Sequence, residues 1–167
     1  MKRQSLIGAL IIAMLLAIPG GTAFANKKKD IRADEQQQAR LIYTSLLTLN
    51  NANLTGNYTV LLDSAAPSFR ALNTSYRLTR IFSRFRNSRI DIGAIVLQNP
   101  TLTKNVRVDK NGILYIEGYF PTRPMNIDFK LSYQRVAGAW RLHGISVKPV
   151  LEKVAITSSI NGVTKHQ

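Results

Sequence analysis

The hydrophobic period of this chain changes once, between Asn87 and Ile90, and that change decides the fold class. Before it, apolar residues recur at helical spacing: Ile42, Leu46 and Leu49 fall at i, i+4 and i+7. After it they alternate. In NIDFKLSYQR, residues 126–135, Ile127, Phe129, Leu131 and Tyr133 share one side, and Asp128, Lys130, Ser132 and Gln134 share the other. Short connections between successive strands imply an antiparallel sheet. Helices followed by a run of strands give an α+β fold, with the helices packed on one face of the sheet.

A first helix is expected over Arg32–Leu49. Asp34 and Glu35 sit in its first turn, where carboxylates suit the helix dipole, and Asn50-Asn51-Ala52-Asn53 ends it. A short second helix is expected over Gly56–Leu62 with Thr55 as N-cap. Pro67 then breaks the chain or opens a third helical region. That region holds YRLTRIFSRFRNSR, residues 76–89, with five arginines and two phenylalanines in fourteen positions. On a helical wheel advancing about 100° per residue, Leu78, Ile81, Phe82 and Phe85 form one face. Arg77, Arg80 and Arg84 gather along one flank of it, and Arg86 lies on the other. The phenylalanines therefore point inward, and the arginines border the buried stripe with wet heads and covered stems.

Five strands are expected. They are IDIGAIVL (90–97), LTKNVRV (102–108), ILYIEGYF (113–120), NIDFKLSYQR (126–135) and WRLHGISV (140–147), with turns at Asp109–Gly112 and Ala137-Gly138. From Pro149 to Gln167 the chain is polar and weakly patterned, and reads as a loosely ordered tail.

The N-terminus reads as a secretory signal. Lys2 and Arg3 precede an apolar run from Leu6 to Ile18, Pro19-Gly20-Gly21 breaks it, and Ala23-Phe24-Ala25 is a small-x-small cleavage site. The apolar run is too short for an ordinary span, which needs about 20 residues. The expected organisation is a signal peptide (1–25), a basic leader (26–31) carrying Lys27-Lys28-Lys29, one domain (32–149) and a tail (150–167). The expected location is the periplasm or the exterior, with no transmembrane anchor after cleavage. The chain has 23 basic and 9 acidic residues, a net charge of +14. Lys2 and Arg3 leave with the signal and no acidic residue does, so the remainder carries +12. Such a field favours anionic partners, such as envelope polymers and lipids, or serves solubility alone. The chain has no cysteine, which removes disulfides, thiolate ligands and a cysteine nucleophile.

The segments SAAPSFRALN, LTRIFSRFR, VDKNGILYIEGYF, IDFKLSY and GAWRLHGISV, in that order, resemble the nuclear-transport-factor-two-like superfamily, also called the ketosteroid-isomerase-like or SnoaL-like α+β cone. The resemblance covers about residues 33–148 and is closest to small exported bacterial members without an assigned activity. It implies N-terminal helices packed on a curved antiparallel sheet, a cone-like roll. Enzymes, binding modules and assembly domains all use this fold, so fold alone assigns no function.

Enzymes of that superfamily place an acidic base and tyrosine or acid hydrogen-bond donors inside the cone. The candidates here are Tyr58, Asp63, Asp91, Tyr115, Glu117, Tyr119, Asp128 and His143. None matches the superfamily's catalytic set. Glu117 shares a strand face with Ile113, Tyr115 and Tyr119. Buried beside tyrosines it would have a raised pKa and could act as a base. The plainer reading is a strand carboxylate at a sheet edge or bonded to a neighbouring arginine. Tyr115, Glu117 and Tyr119 are accordingly the candidate ligand contacts, and Arg77, Arg80 and Arg84 the candidate anion site. With two histidines, one of them in the tail, and no cysteine, no metal site or cofactor is expected. The leading expectation is an exported, non-catalytic domain. It binds a small apolar ligand in the cone, or a protein partner, a second copy included, on the outer face of the sheet. The alternatives are an enzyme of isomerase, dehydratase or cyclase type, and an electrostatic binder of anionic envelope polymers or lipids. Nucleic acid is not expected, because export removes the protein from it and the aromatics face inward.

Overall fold

The computed structural model describes residues 33–151. The expected signal peptide, the lysine leader and the chain from residue 152 onward lie outside the described residues. Helix α1 spans Glu35–Thr55, and Asp34 caps it by accepting a hydrogen bond from the Gln37 amide at 2.7 Å. The asparagine run does not end α1. Asn50 and Asn53 are buried within it. Asn50 accepts from the Ile92 amide at 3.0 Å and donates to Asp91 Oδ1 at 2.8 Å. Asn53 accepts from the Tyr58 hydroxyl at 2.7 Å. Side-chain and backbone partners outside the helix take both ends of the Asn50 amide and the oxygen of Asn53, whose Nδ2 is buried without a partner, so neither residue needs the non-helical backbone that usually suits asparagine. The helix ends instead where Gly56 takes the left-handed conformation, φ 73°. Thr55 is not the cap of the next helix, which starts at Thr59 with Tyr58 at its N-cap position; the Thr55 hydroxyl donates to the Asn51 carbonyl at 2.7 Å and accepts from the Asn57 amide at 3.2 Å.

Four short helices follow: α2 (Thr59–Ser64), α3 (Pro67–Leu72), α4 (Ser75–Ile81) and α5 (Ser83–Asn87). Pro67 opens α3, and Thr74 caps α4 by accepting from the Arg77 amide at 3.1 Å. The helix expected across residues 77–87 is broken at Phe82, whose backbone sits at φ −97°, ψ 15°. Leu78, Phe82 and Phe85 reach the core, but Ile81 closes α4 on the solvent side and is 54% exposed. The break carries Phe82 and Phe85 inward without Ile81.

IDIGAIVL is not a strand. Gly93–Leu97 forms a 3-10 turn, in which Ile92 and Ile95 are buried and Val96 and Leu97 exposed. Asp91 Oδ1 accepts from the Gly93 amide at 2.7 Å while Asn50 holds the Ile92 amide. These side-chain bonds tie the segment to α1 and compete with a strand ladder.

The sheet is antiparallel throughout. Strands β1 (Thr101–Leu102) and β2 (Arg107–Val108) pair with one edge of β3 (Ile113–Phe120), which pairs with β4 (Met125–Val136), which pairs with β5 (Ala139–Leu151). The strand expected at 102–108 is thus split. Thr103 to Val106 face only Ile116 and Glu117, because the register moves from Leu102↔Gly118 to Arg107↔Tyr115. The extra residues loop out and carry Lys104 over the sheet. Gly118 permits β1 to lie there, since a Cβ would overlap the Thr101 carbonyl oxygen. Strand β5 continues through Pro149 to Leu151, which pairs with Met125, so the expected tail begins as sheet.

Helices and curved sheet bury one core. Leu114, Ile116 and Phe120 of β3, Ile127, Phe129, Leu131 and Tyr133 of β4 and Leu142 and Val147 of β5 pack against Ile42, Leu46 and Leu49 of α1 and the apolar side chains of α2–α5. Phe120 lies 5.4 Å from the Tyr43 ring and 5.6 Å from Phe129, centroid to centroid. This is the α+β arrangement that the change of period implies. No helix of the described residues is long and apolar enough to cross a membrane.

Candidate functional site

A cleft of about 370 Å³ opens between α1 and the β4–β5 hairpin. Its floor is apolar, from Leu41, Leu61 and Leu142, and Trp140 forms one wall. Hydroxyls of Thr44, Ser45, Thr48 and Ser64 line it, and Arg40 and Arg141 contribute cations. Two periodicities place these groups. Leu41, Ser45 and Thr48 follow one another on α1 at helical spacing. Tyr133 and Leu142 are core-facing cross-strand partners, and Arg135 pairs with Trp140 beside the turn. The Arg135 guanidinium lies 5.4 Å from the Trp140 ring and supports its position.

At the cleft floor Tyr133 donates to the Leu41 carbonyl at 2.9 Å, and its oxygen lies 3.0 Å from Ser45 Oγ. A phenol has one proton to give. Ser45 is therefore the donor in their mutual bond. Burial pushes the Tyr133 phenol well up from its ordinary value, so it keeps its proton at neutral pH. Arg141 reaches the Ser64 carbonyl at 3.4 Å. Among the described residues the lining contains guanidinium groups but no carboxylate and no imidazole. The arrangement can hold an oxyanion or carbonyl at the guanidiniums and hydroxyls, with an apolar body against Trp140 and the leucines.

The candidates drawn from the sequence lie elsewhere. Tyr115, Glu117 and Tyr119 project from the face of β3 opposite Leu114, Ile116 and Phe120, outside the cone. The Glu117 side chain is 16% exposed and sits 3.0 Å from Lys104 Nζ and 3.6 Å from Lys130 Nζ. The hydrogen bond from Lys104 and the charges of both lysines hold its carboxyl below the ordinary value, the reverse of what a buried base needs. Tyr115 donates to Asp109 Oδ2 at 3.2 Å beneath the Arg107 guanidinium, 4.3 Å from its ring. Burial and Asp109 push the Tyr115 phenol up. The backbone amide of Ile113 is the main reason that Asp109 is lowered. Tyr119 stands across from Asp128, which is exposed. These groups do not converge on a common cavity.

Arg77, Arg80 and Arg84 are exposed, the first two on α4 and the third on α5. Asp63 is exposed, and Asp91 serves the turn after α5. Tyr58 is buried, donating to Asn53 and accepting from Arg86 Nη1 at 2.8 Å. His143 Nδ1 lies 2.9 Å from Ser68 Oγ, which donates to Gln134 Oε1 at 2.8 Å. Because the serine proton goes to the amide oxygen, His143 donates to the serine rather than activating it. That contact clamps α3 onto the hairpin. Among the described residues no three of the His, Asp and Glu side chains group as metal ligands.

The cleft residues Arg40, Ser45, Tyr133, Trp140 and Arg141 were missed as a group. Their signal was a hydroxyl inside each apolar stripe: Ser45 between Ile42 and Leu49 on α1, and Tyr133 at the end of the β4 alternation. Polar groups on core-facing positions need partners, and these two meet each other across the cone. No protein-family model matches the chain, and no curated protein matches it at a significant level.

Proposed function

We propose that this chain is an exported binding domain of the nuclear-transport-factor-two-like cone type, and that the α1–hairpin cleft is its ligand site. The observation that carries this reading is the lining itself. Among the described residues, two guanidiniums and five hydroxyls, that of Tyr133 included, surround an apolar floor with no carboxylate beside them. Uncompensated cations at a concavity of this size suit a small amphipathic ligand with a carboxylate or phosphate head. Binding is favoured over turnover because, among the described residues, the cleft offers no group that titrates near neutrality. The Ser45 proton is committed to a phenol that stays protonated.

Trp140 is the only tryptophan of the chain, so its fluorescence reports the cleft directly. Titration with short and medium-chain carboxylates is expected to give a saturable change. Arg141→Gln is expected to weaken it about tenfold or more, as loss of a charged hydrogen bond does. Gently purified protein analysed by native mass spectrometry is expected to carry a small acidic molecule that R40Q/R141Q loses. A ligand retained equally by R40Q/R141Q would sink the reading, and so would conversion of that ligand to a product.

A further inference from the structure

The arginine region of α3–α5 carries a second surface, independent of the cleft. Between Asp63 and Asp91 the chain has six arginines and no acidic residue. Arg86 is turned inward, donating to Tyr58 and to the Thr79 carbonyl at 2.7 Å. Arg70, Arg77, Arg80, Arg84 and Arg89 are exposed. Among the described residues, the ion pairs are those of Glu117 with Lys104 and Lys130, and none involves these arginines.

Apolar side chains stand among them in water. Tyr76 is 72% exposed, Ile81 54% and, just before α4, Leu72 70%. Tyr76 and Arg80 are four apart, as are Arg77 and Ile81, so all four share one side of α4. They line a shallow groove of about 430 Å³. The core does not need them, because Leu78, Phe82 and Phe85 already close it.

We infer that this α4 face docks on an anionic lipid surface. A bilayer interface answers both halves of the observation. Lipid phosphates pair with guanidiniums, and the headgroup–acyl boundary takes up the tyrosine ring and the aliphatic side chains. A soluble polyanion would satisfy the arginines and leave Tyr76, Ile81 and Leu72 in water. A short basic helix with so small an apolar face gives reversible, salt-sensitive attachment, with the helix lying along the interface.

The test is vesicle partitioning of the protein as the cell processes it, with phosphatidylglycerol-containing and pure phosphatidylcholine vesicles. The arginine side chains of R77Q/R80Q/R84Q are exposed, so this variant is expected to keep the parent melting temperature. Each cation held near an anionic surface multiplies partitioning about fivefold, so the triple variant is expected to lose on the order of a hundredfold. The charge-matched control K110Q/R123Q/K148Q removes exposed cations from other elements. It is expected to lose less than about tenfold, because charges beyond a Debye length from the surface are screened. Y76S/I81S is expected to keep low-salt binding and to lose the part that survives added salt. Three results would each overturn the inference. They are a parent that does not prefer the anionic vesicles, a control triple that loses as much as the arginine triple, and a Y76S/I81S variant that changes nothing while dextran sulfate or single-stranded DNA strips the protein from vesicles.

Discussion

The α1–hairpin cleft and the outer face of β3 are built from similar side chains, tyrosines and cations, and they use them in opposite ways. On the outer face two acids are held by local partners, while Asp128 stands exposed: Glu117 lies between Lys104 and Lys130, and Asp109 is held by backbone amides, Tyr115 and Arg107. Those groups are consumed in joining β2 and the looped-out segment to β3. In the cleft Arg40 and Arg141 stand over hydroxyls with no carboxylate among the described residues of the lining. Availability for a ligand follows from what is left uncompensated, and the mere presence of a carboxylate beside tyrosines does not supply it.

The contrast between the two faces of the sheet is sharpest on β4, where neighbouring residues point opposite ways. Phe129 is buried against Phe120 and the helices, and Lys130 is exposed. Phe129→Ala is expected to cost about 3–5 kcal/mol, the usual result of emptying a packed aromatic site. Lys130→Ala is expected to cost less than about 1 kcal/mol. Urea unfolding of both variants measures the difference. Comparable losses would mean that the outer face contributes far more to stability than its exposure implies.

Removing one hydroxyl from each region probes the same contrast more finely. Tyr133→Phe is expected to cost about 1–2 kcal/mol, because it leaves Ser45 without its acceptor and Leu41 without one of its donors. Tyr115→Phe removes a hydroxyl at a part-buried surface position and is expected to cost less than about 0.5 kcal/mol. The double variant S45A/Y133F is expected to be more stable than the sum of the single losses, since the two hydroxyls share one bond.

The sequence showed the class of the fold and most of the sheet because both rest on period. The alternation in β3, β4 and β5 has no competitor, and the structure places those strands within a few residues of expectation. Where the reading failed, a side chain far away in sequence had intervened. Asn50 seized the backbone at Ile92, 42 positions on, and turned an apolar run into a 3-10 turn. Such bonds span distances along the chain that periodicity does not register. The cleft was illegible for the same reason. Ser45 and Tyr133 are separated by 88 positions, and each looks like an ordinary blemish on an apolar stripe until the cone closes. Glu117 drew attention because its own strand surrounds it with tyrosines, while the lysines that neutralise it come from neighbouring segments.

The hairpin that brings Trp140 and Arg141 to the cleft turns through Ala137 and Gly138, at φ 48° and 82°. A left-handed alanine is costly, and asparagine tolerates that conformation. Ala137→Asn is expected to raise stability by about 1 kcal/mol in thermal unfolding without altering the Trp140 titration. Weakened ligand binding in that variant would show that the strained turn positions the cleft wall.

The smallest expected effect tests the outer face most directly. Lys104 and Lys130 favour ionised Glu117, so its native pKa lies below its unfolded value. The native state then binds this proton less readily than the unfolded state. The stabilisation it gives is present above the ordinary carboxylate range and is lost as pH falls through the native pKa. Glu117→Gln is expected to cost about 0.2–1 kcal/mol at neutral pH and low salt, the range of an exposed ion pair. The gap between parent and variant should close in acid and shrink with added salt. A base held at a raised pKa would behave otherwise: its replacement would abolish an activity, and the gap between parent and variant would change with pH in the opposite sense. Denaturant midpoints measured from neutral to acidic pH for the parent and the glutamine variant therefore separate a carboxylate that joins segments of sheet from one that works on a substrate.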